Sequence, residues 1–269
     1  MPLWRIHLPW HLAIAQGLSL LPPDWLIEKR DEIASTNSEL MGRARAGDTR
    51  PTLLVAKHQT AGRGRLGRQW HDRPGDTLMF SLGLEMSPLS WSGLSLAVGL
   101  SIANSLDPQQ HLGLGLKWPN DLWLGPLPRA RKLGGILIET AVLAGAVQAS
   151  RYVVVGVGIN IKAPPSEGLT MPAVGWAEVQ ADASTDSVLS ALLLPLVAQI
   201  QRFEREGFAP LQAAYDQRDV LRGEALVLSN GLTGVGAGVD AQGVLQLDAP
   251  AGRVGVASDE VSVRPRALA

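Results

Sequence analysis

The sequence predicts an α+β fold: a mixed, mainly antiparallel sheet with helices packed on it, followed by a small all-β module. Leu133–Glu139 and Tyr152–Ile161 are apolar runs joined by small residues with no helix between them, which points to antiparallel neighbours. Apolar residues at helical spacing recur through Trp91–Leu106 and Ser187–Glu206. From about Val220 the pattern changes to short strands separated by Gly223, Gly231, Gly234, Gly236, Gly238, Gly243 and Gly252, a compact β unit of roughly 50 residues. A chain of 269 residues accommodates one large domain and one small one. The division is placed at 1–219 and 220–269.

Taken in order, residues 1–27 form a weakly patterned arm with tryptophans and prolines. Ser35-Thr36-Asn37-Ser38-Glu39 sets hydroxyl and amide side chains ahead of Leu40 and Met41, a helix start, and predicts a helix over Asn37–Ala46. Thr52–Ala56 reads as a buried strand entering a Gly/Arg loop, and Thr77–Leu82 as the strand leaving it. Gly115-Leu116-Lys117-Trp118 enters a turn at Pro119-Asn120-Asp121. Pro195 is expected to kink or divide the longest helix, because it lacks the N–H that the helical ladder requires.

Composition narrows the chemistry. The formal net charge of −1 provides no global field for nucleic acid or anionic membrane, so an anion site has to be local. The absence of cysteine excludes disulfides, zinc thiolates, iron–sulfur clusters and thioester-forming nucleophiles. Arg5, His7, Pro9, His11 and Gln16 interrupt the apolar start, which therefore lacks the form of a signal peptide. No run reaches the ~18–20 apolar residues of a membrane helix. The expectation is a cytoplasmic, soluble protein.

Lys57 to Trp70 is the most informative stretch, because Arg63, Arg65 and Arg68 stand among Gly62, Gly64 and Gly67 directly after a buried strand. Glycine lets backbone N–H groups approach an anion, and an arginine fork binds phosphate or carboxylate through two parallel hydrogen bonds. The spacing Gly62, Gly64, Gly67 matches a dinucleotide fingerprint, but Arg68 to Asp76 contain Pro74-Gly75 where a helix should open. A phosphate loop is also excluded, since Arg68-Gln69 occupy the places of its Lys and Ser/Thr.

The loop does not stand alone. Ser35-Thr36-Asn37, Gln59 to Trp70, Lys117 to Asp121, Arg131 to Leu137 and Gly156 to Asn160 together resemble the biotin protein ligase family, with all five blocks in the family's order. The resemblance spans roughly residues 28 to 265. It implies a class II synthetase-like catalytic domain and an SH3-like C-terminal β-barrel. Only about 30 residues precede Ser35, too few for the DNA-binding helix-turn-helix of many members, so DNA binding is not expected. The connection Gly125-Pro126-Leu127-Pro128-Arg129-Ala130 is longer than the family's tight turn.

What the resemblance implies is an enzyme that activates biotin with ATP as biotinyl-adenylate and transfers it to a lysine of a biotin carboxyl carrier domain. On that footing biotin is bound by Ser35, Thr36, Asn37, Gln59, Gly62, Arg63, Gly64, Arg65, Lys132, Gly135 and Gly158, with Gly156 keeping the floor open. ATP falls to Arg65, Arg68, Trp70, Lys117, Asn120, Lys132 and Asn160. Lys132 and Arg65 neutralise charge where carboxylate meets α-phosphate, and Asp121 orients or deprotonates the acceptor lysine. Magnesium comes with ATP, with no protein metal cage expected. The carrier is the expected partner, no membrane is involved, and a homodimer through an exposed sheet edge is compatible with the sequence. Two rivals remain: a lipoate or octanoate ligase of the same architecture, and a non-catalytic biotin or adenylate sensor.

Overall fold

The computed structural model describes residues 25–70, 72–142, 150–165, 171–257 and 263–266. Of the expected arm, residues 1–24 lie outside this set; Leu26 and Ile27 belong to a strand that the sequence pattern did not suggest. In chain order the elements are β1 (Leu26–Ile33), α1 (Thr36–Arg45), β2 (Thr52–Gln59), β3 (Thr77–Met86), α2 (Leu94–Leu106), β4 (Leu114–Lys117) and β5 (Asp121–Leu124). There follow β6 (Arg131–Val142), β7 (Arg151–Asn160), α3 (Thr185–Glu206), α4 (Gln212–Asp216), and β8 (Ala225–Leu228), β9 (Thr233–Val239), β10 (Leu245–Ala249), β11 (Gly252–Val256) and β12 (Val263–Pro265).

Strands β1 to β7 form one seven-stranded sheet in the order β1-β2-β3-β7-β6-β5-β4. Only β1 and β2 pair in parallel, across the α1 crossover; all other neighbours are antiparallel, including β6 and β7. The expected mixed, mainly antiparallel sheet is what forms. β3 is buried along almost its whole length because both of its faces are covered. On one face, Leu53, Val55, Leu78, Phe80, Leu82, Val153 and Val155 meet the buried sides of α2 and α3 in the main core. On the other, Leu40, Met41 and Ala44 of α1 pack against Leu54, Tyr152 and Val154.

Local chemistry explains the element ends. Ser35 caps α1 by accepting from the Ser38 N–H at 3.4 Å. Helix α2 starts at Leu94 rather than Trp91, because Gly93 takes a left-handed φ of 84° before it. Helix α3 opens with a capping box between Ser184 and Ser187. It is not divided by Pro195: that residue and Ala191, whose carbonyl loses its partner, are both on the exposed side, where water satisfies the carbonyl.

The C-terminal strands form a second sheet in the order β11-β10-β9-β8-β12, antiparallel throughout. Its Leu226, Leu228, Val239, Leu245 and Leu247 join the main core, so hydrophobic burial is continuous between the sheets. Buried Trp118 donates its Nε1–H to the carbonyl of Gly243 at 3.1 Å, tying the β4–β5 turn to the second sheet. The connector Arg218–Val220 runs beside β4, with Leu116 N–H donating to the Arg218 carbonyl and Val220 N–H to the Leu116 carbonyl. Buried Arg218 donates to Asn104 Oδ1, the Leu114 carbonyl and the Asp107 carbonyl at 3.1, 3.1 and 2.6 Å. Arg218→Ala removes three hydrogen bonds from a buried position and is expected to cost on the order of 3 kcal/mol, read as a lower urea midpoint.

Candidate active site

The α1 face of the sheet carries a cavity of about 220 Å³. At one end lies a neutral polar cluster. Gln59, the last residue of β2, accepts at Oε1 from the Thr36 N–H at 2.7 Å and lies 3.1 Å from the Thr36 hydroxyl. Ser81 of β3 reaches Thr36 Oγ1 at 2.7 Å and Asn37 Oδ1 at 2.6 Å. Thr36, Asn37 and Ser81 are all buried, so each polar atom needs such a partner.

The floor is made by register. Antiparallel pairing sets Gly135 of β6 opposite Gly158 of β7, and Leu137 opposite Gly156. A methyl group at Gly158 would stand 2.7 Å from the Trp70 ring, and one at Gly135 3.6 Å from it. These glycines therefore give Trp70 its seat on the sheet. A methyl at Gly156 would overlap the Asn37 amide. The absent side chains leave room for both groups and shape the cavity between them.

The other end holds Lys117, Lys132, Arg68 and Arg264, while Arg63 and Arg65 line the cavity from the Gly/Arg loop; Asp121 is the one carboxylate among the described lining residues. Lys132 gets there through a bulge. Its register partner on β5 is Trp123, while the neighbouring pair is Leu122 with Gly134, so Leu133 is an extra residue on β6. Without it, Lys132 and Gly135, three apart, would point to opposite faces. With it, Lys132 Nζ donates to Asp121 Oδ1 at 2.7 Å and lies 5.9 Å from the Trp70 ring centroid. The Lys132 backbone is held by Pro172 and Val174.

Burial acts to raise the Asp121 carboxyl, but Lys132 and Lys117 outweigh it and hold the group below its usual range. Lys117 is buried, 5.5 Å from the Trp123 ring centroid, and burial pushes its ammonium down to about 8 despite Asp121 nearby. The site thus holds positive charge under strain of desolvation, which an anion would relieve.

The Gly/Arg segment closes one side as a tight loop, not a helix. Gly64 N–H donates to the Arg68 carbonyl at 2.7 Å, Trp70 N–H to the Gly62 carbonyl at 2.9 Å, and a single 3-10 turn covers Arg65–Gly67. Leu66 takes a positive φ of 55° there. Arg63 reaches Ser38 Oγ at 3.2 Å and Glu139 at 3.1 Å.

Of the residues singled out by sequence, Ser35, Thr36, Asn37, Gln59, Arg63, Gly64, Arg65, Arg68, Trp70, Lys117, Asn120, Asp121, Lys132, Gly135, Gly156, Gly158 and Asn160 all stand on the cavity wall. Gly62 does not: it packs behind, against the Trp70 backbone. Asn120 commits its NH2 group to the Ile136 carbonyl at 2.8 Å, leaving its Oδ1 for a ligand. Sequence reasoning missed Ser81, whose signal was a lone hydroxyl inside the apolar β3 run, and Arg264 of β12, for which the local pattern carries no signal. Among the described residues no cluster of three or more His, Cys, Asp or Glu could hold a metal, and no helix is long and apolar enough to cross a membrane.

A cavity with a neutral donor–acceptor head, a glycine floor and a cation-rich end with one paired carboxylate suits a small acid being joined to a phosphate. Sequence comparison identifies the class: a profile of the biotin/lipoate A/B protein ligase family matches residues 33–160, and the chain belongs to that family. It is 33% identical over 242 residues to the biotin–[acetyl-CoA-carboxylase] ligase of Mycobacterium tuberculosis, covering 86% of either chain. It is also 33% identical over 243 residues to the enzyme of that name from Paracoccus denitrificans, covering 84% of this chain and 96% of the relative. The structure superposes on the biotin protein ligase of Aquifex aeolicus in complex with biotin and ATP with a TM-score of 0.72 at 26% identity, over 89% of this chain and 99% of that one.

Gly156→Ala forces the new methyl group against Asn37 in a packed position. It is expected to lower unfolding stability by about 1–3 kcal/mol in urea titration; an unchanged midpoint would mean that α1 does not rest on β7.

Proposed function

We propose that this chain is an ATP-dependent biotin protein ligase that forms biotinyl-5′-AMP and transfers biotin to a lysine of a biotin carboxyl carrier domain. The observation that carries it is a cavity lined by six cations, two of which, Lys132 and Lys117, act on Asp121 at one end, while the neutral Thr36–Gln59–Ser81 cluster forms the other. The neutral end suits the ureido head of biotin, with Ser35, Thr36 and Gln59 as its hydrogen-bonding groups and Asn37 behind them, its amide bonded to Ser81, Leu137 and Glu139. Lipoate and octanoate have no comparable head to satisfy these buried groups.

In the first step a biotin carboxylate oxygen attacks the α-phosphorus of ATP, and the bond to the β-phosphate oxygen breaks to release pyrophosphate. Both reactants are anionic, so the protein's work is to bring them together and offset their repulsion. Lys132 and Arg65 are assigned to the meeting point of carboxylate and α-phosphate, with Arg63 beside them on the loop; Gly62 and Gly64 serve the loop's own fold, Gly62 packed against Trp70 and the Gly64 N–H bonded to the Arg68 carbonyl. Arg68 and Lys117 are assigned to the phosphates, joined by Arg264. Trp70 offers a face for adenine, and Asn120 and Asn160 offer amide groups to its edge. Magnesium would accompany ATP and help neutralise its phosphates; Asp121, the one carboxylate among the described cavity-lining residues, is paired to Lys132.

In the second step the carrier amine attacks the acyl carbon, the bond to AMP breaks, and the amine loses a proton. Asp121, held below the usual carboxylate range, is a weak base, so its assigned role is to orient the ammonium or amine by hydrogen bonding. The division into a catalytic unit over 1–219 and an SH3-like unit over 220–269 is proposed on the change to five short antiparallel strands. So is a cytoplasmic setting without DNA or membrane binding, compatible with a homodimer through a sheet edge.

The deciding experiment is pyrophosphate release from ATP with biotin, lipoate or octanoate, followed by mass analysis of an added carrier domain. Release with biotin and a mass gain on the carrier is the expected result; release only with another acid overturns the substrate, and none with any acid overturns the enzyme. Lys132→Ala is expected to slow adenylate formation by roughly 10²–10³. ATP affinity is expected to fall as pH rises through about 8, where buried Lys117 loses its charge. The calorimetric pH profile should flatten in Lys117→Met.

A further inference from the structure

Glu139 lies on β6 two residues beyond Leu137 and opposite Val154 of β7, outside the cavity wall and partly buried. A carboxylate on an otherwise apolar stretch of strand needs partners, and it has two. Its Oε2 accepts from Asn37 Nδ2 at 2.9 Å, and its Oε1 pairs with the Arg63 guanidinium at 3.1 Å. The Asn37 amide also donates to the Leu137 carbonyl at 3.2 Å.

These contacts set a direction. A carboxylate and a carbonyl only accept, so Asn37 has to turn its NH2 toward both and its Oδ1 toward Ser81, 2.6 Å away. Ser81 has one proton and must give it to that oxygen. Thr36 Oγ1, 2.7 Å from Ser81 and 3.1 Å from Gln59 Oε1, then keeps its own proton within the cluster. What Thr36 turns to the cavity is a lone pair. Gln59 Oε1 is occupied by the Thr36 N–H, and the Gln59 NH2, one of whose protons meets Met79 Sδ at 3.3 Å, is the donor beside it.

We propose that Glu139 is a positioning residue that, through Asn37 and Ser81, fixes Thr36 as a hydrogen-bond acceptor and so selects a ligand bringing an N–H to the head of the cavity. The inference rests on the biotin reading, in which the ureido group supplies that N–H. Glu139→Gln keeps the size of the side chain but can offer Asn37 a donor as well as an acceptor, so the direction of the chain is then enforced only by the longer contact to the Leu137 carbonyl.

The test is calorimetry of biotin and of ATP, separately, on the full chain and on Glu139→Gln, Ser81→Ala and the double variant. Glu139→Gln is expected to weaken biotin roughly tenfold, the scale of one hydrogen bond, with ATP affinity changed less than about twofold. The double variant should lose no more than the worse single one, because both changes cut the same chain of contacts. Unchanged biotin affinity in Glu139→Gln, equal losses for biotin and ATP, or losses that multiply in the double variant would overturn the role of Glu139. Failure of biotin to bind the unaltered chain would instead overturn the biotin reading, and the proposal with it. Ser81 is fully buried; if its alanine variant does not fold, Ser81→Cys takes its place in the cycle.

Discussion

Lys132 reaches the cavity because β6 carries one residue more than β5 between two of their register pairs. A strand alternates its side chains between faces, and the extra Leu133 shifts that alternation by one, placing Lys132 beside Gly135 and against Asp121. Leu133 itself is fully buried in the main core, which holds the irregularity in place. The Asp121–Lys132 pair follows from this single departure from regular pairing.

Electrostatics and packing are complementary in the same place. Lys117 and Asp121 face each other across the β4–β5 turn, and Asp121 in turn faces Gly135 on β6. One carboxylate thereby serves two lysines, one buried and one partly open. A second carboxylate at this point would cancel the field that draws an anion, and none would leave Lys117 buried without a counter-charge. At the neutral end, by contrast, hydroxyls and amides meet with no charge in direct contact with the Thr36–Gln59 pair. At that end the Arg63–Glu139 ion pair stands behind Asn37 with its charges matched, whereas at the other end the cations exceed the single carboxylate Asp121.

Much of the fold was legible in the sequence because local rules and tertiary packing agree. The cap at Ser35, the apolar runs of β2, β3 and β7 and the helical spacing of α2 and α3 are each satisfied where they occur. Strand β1 was not legible: Glu28-Lys29-Arg30-Asp31-Glu32 has no alternation, and the strand exists because β2 offers it a hydrogen-bonding edge. Its charges suit an outer strand, where they discourage pairing with another chain. The contiguous blocks of the site could be read directly, whereas Ser81, Glu139 and Arg264 come from separate strands and meet only after folding. The bulge that aims Lys132 is likewise a property of pairing between strands, which no single segment encodes.

Trp118 gives the hairpin a consequence beyond the site. Its indole reaches Gly243, and Val263 and Arg264 of β12 line the same cavity as Lys117 and Asp121. The small sheet therefore supplies part of the wall and braces the turn that presents the carboxylate. A ligand that engages Arg264 and Lys117 together binds only when both sheets are formed and docked, so occupancy and docking are thermodynamically linked. Each turnover then has a mechanical side: filling the cavity tightens the joint between the two sheets, and emptying it relaxes that joint.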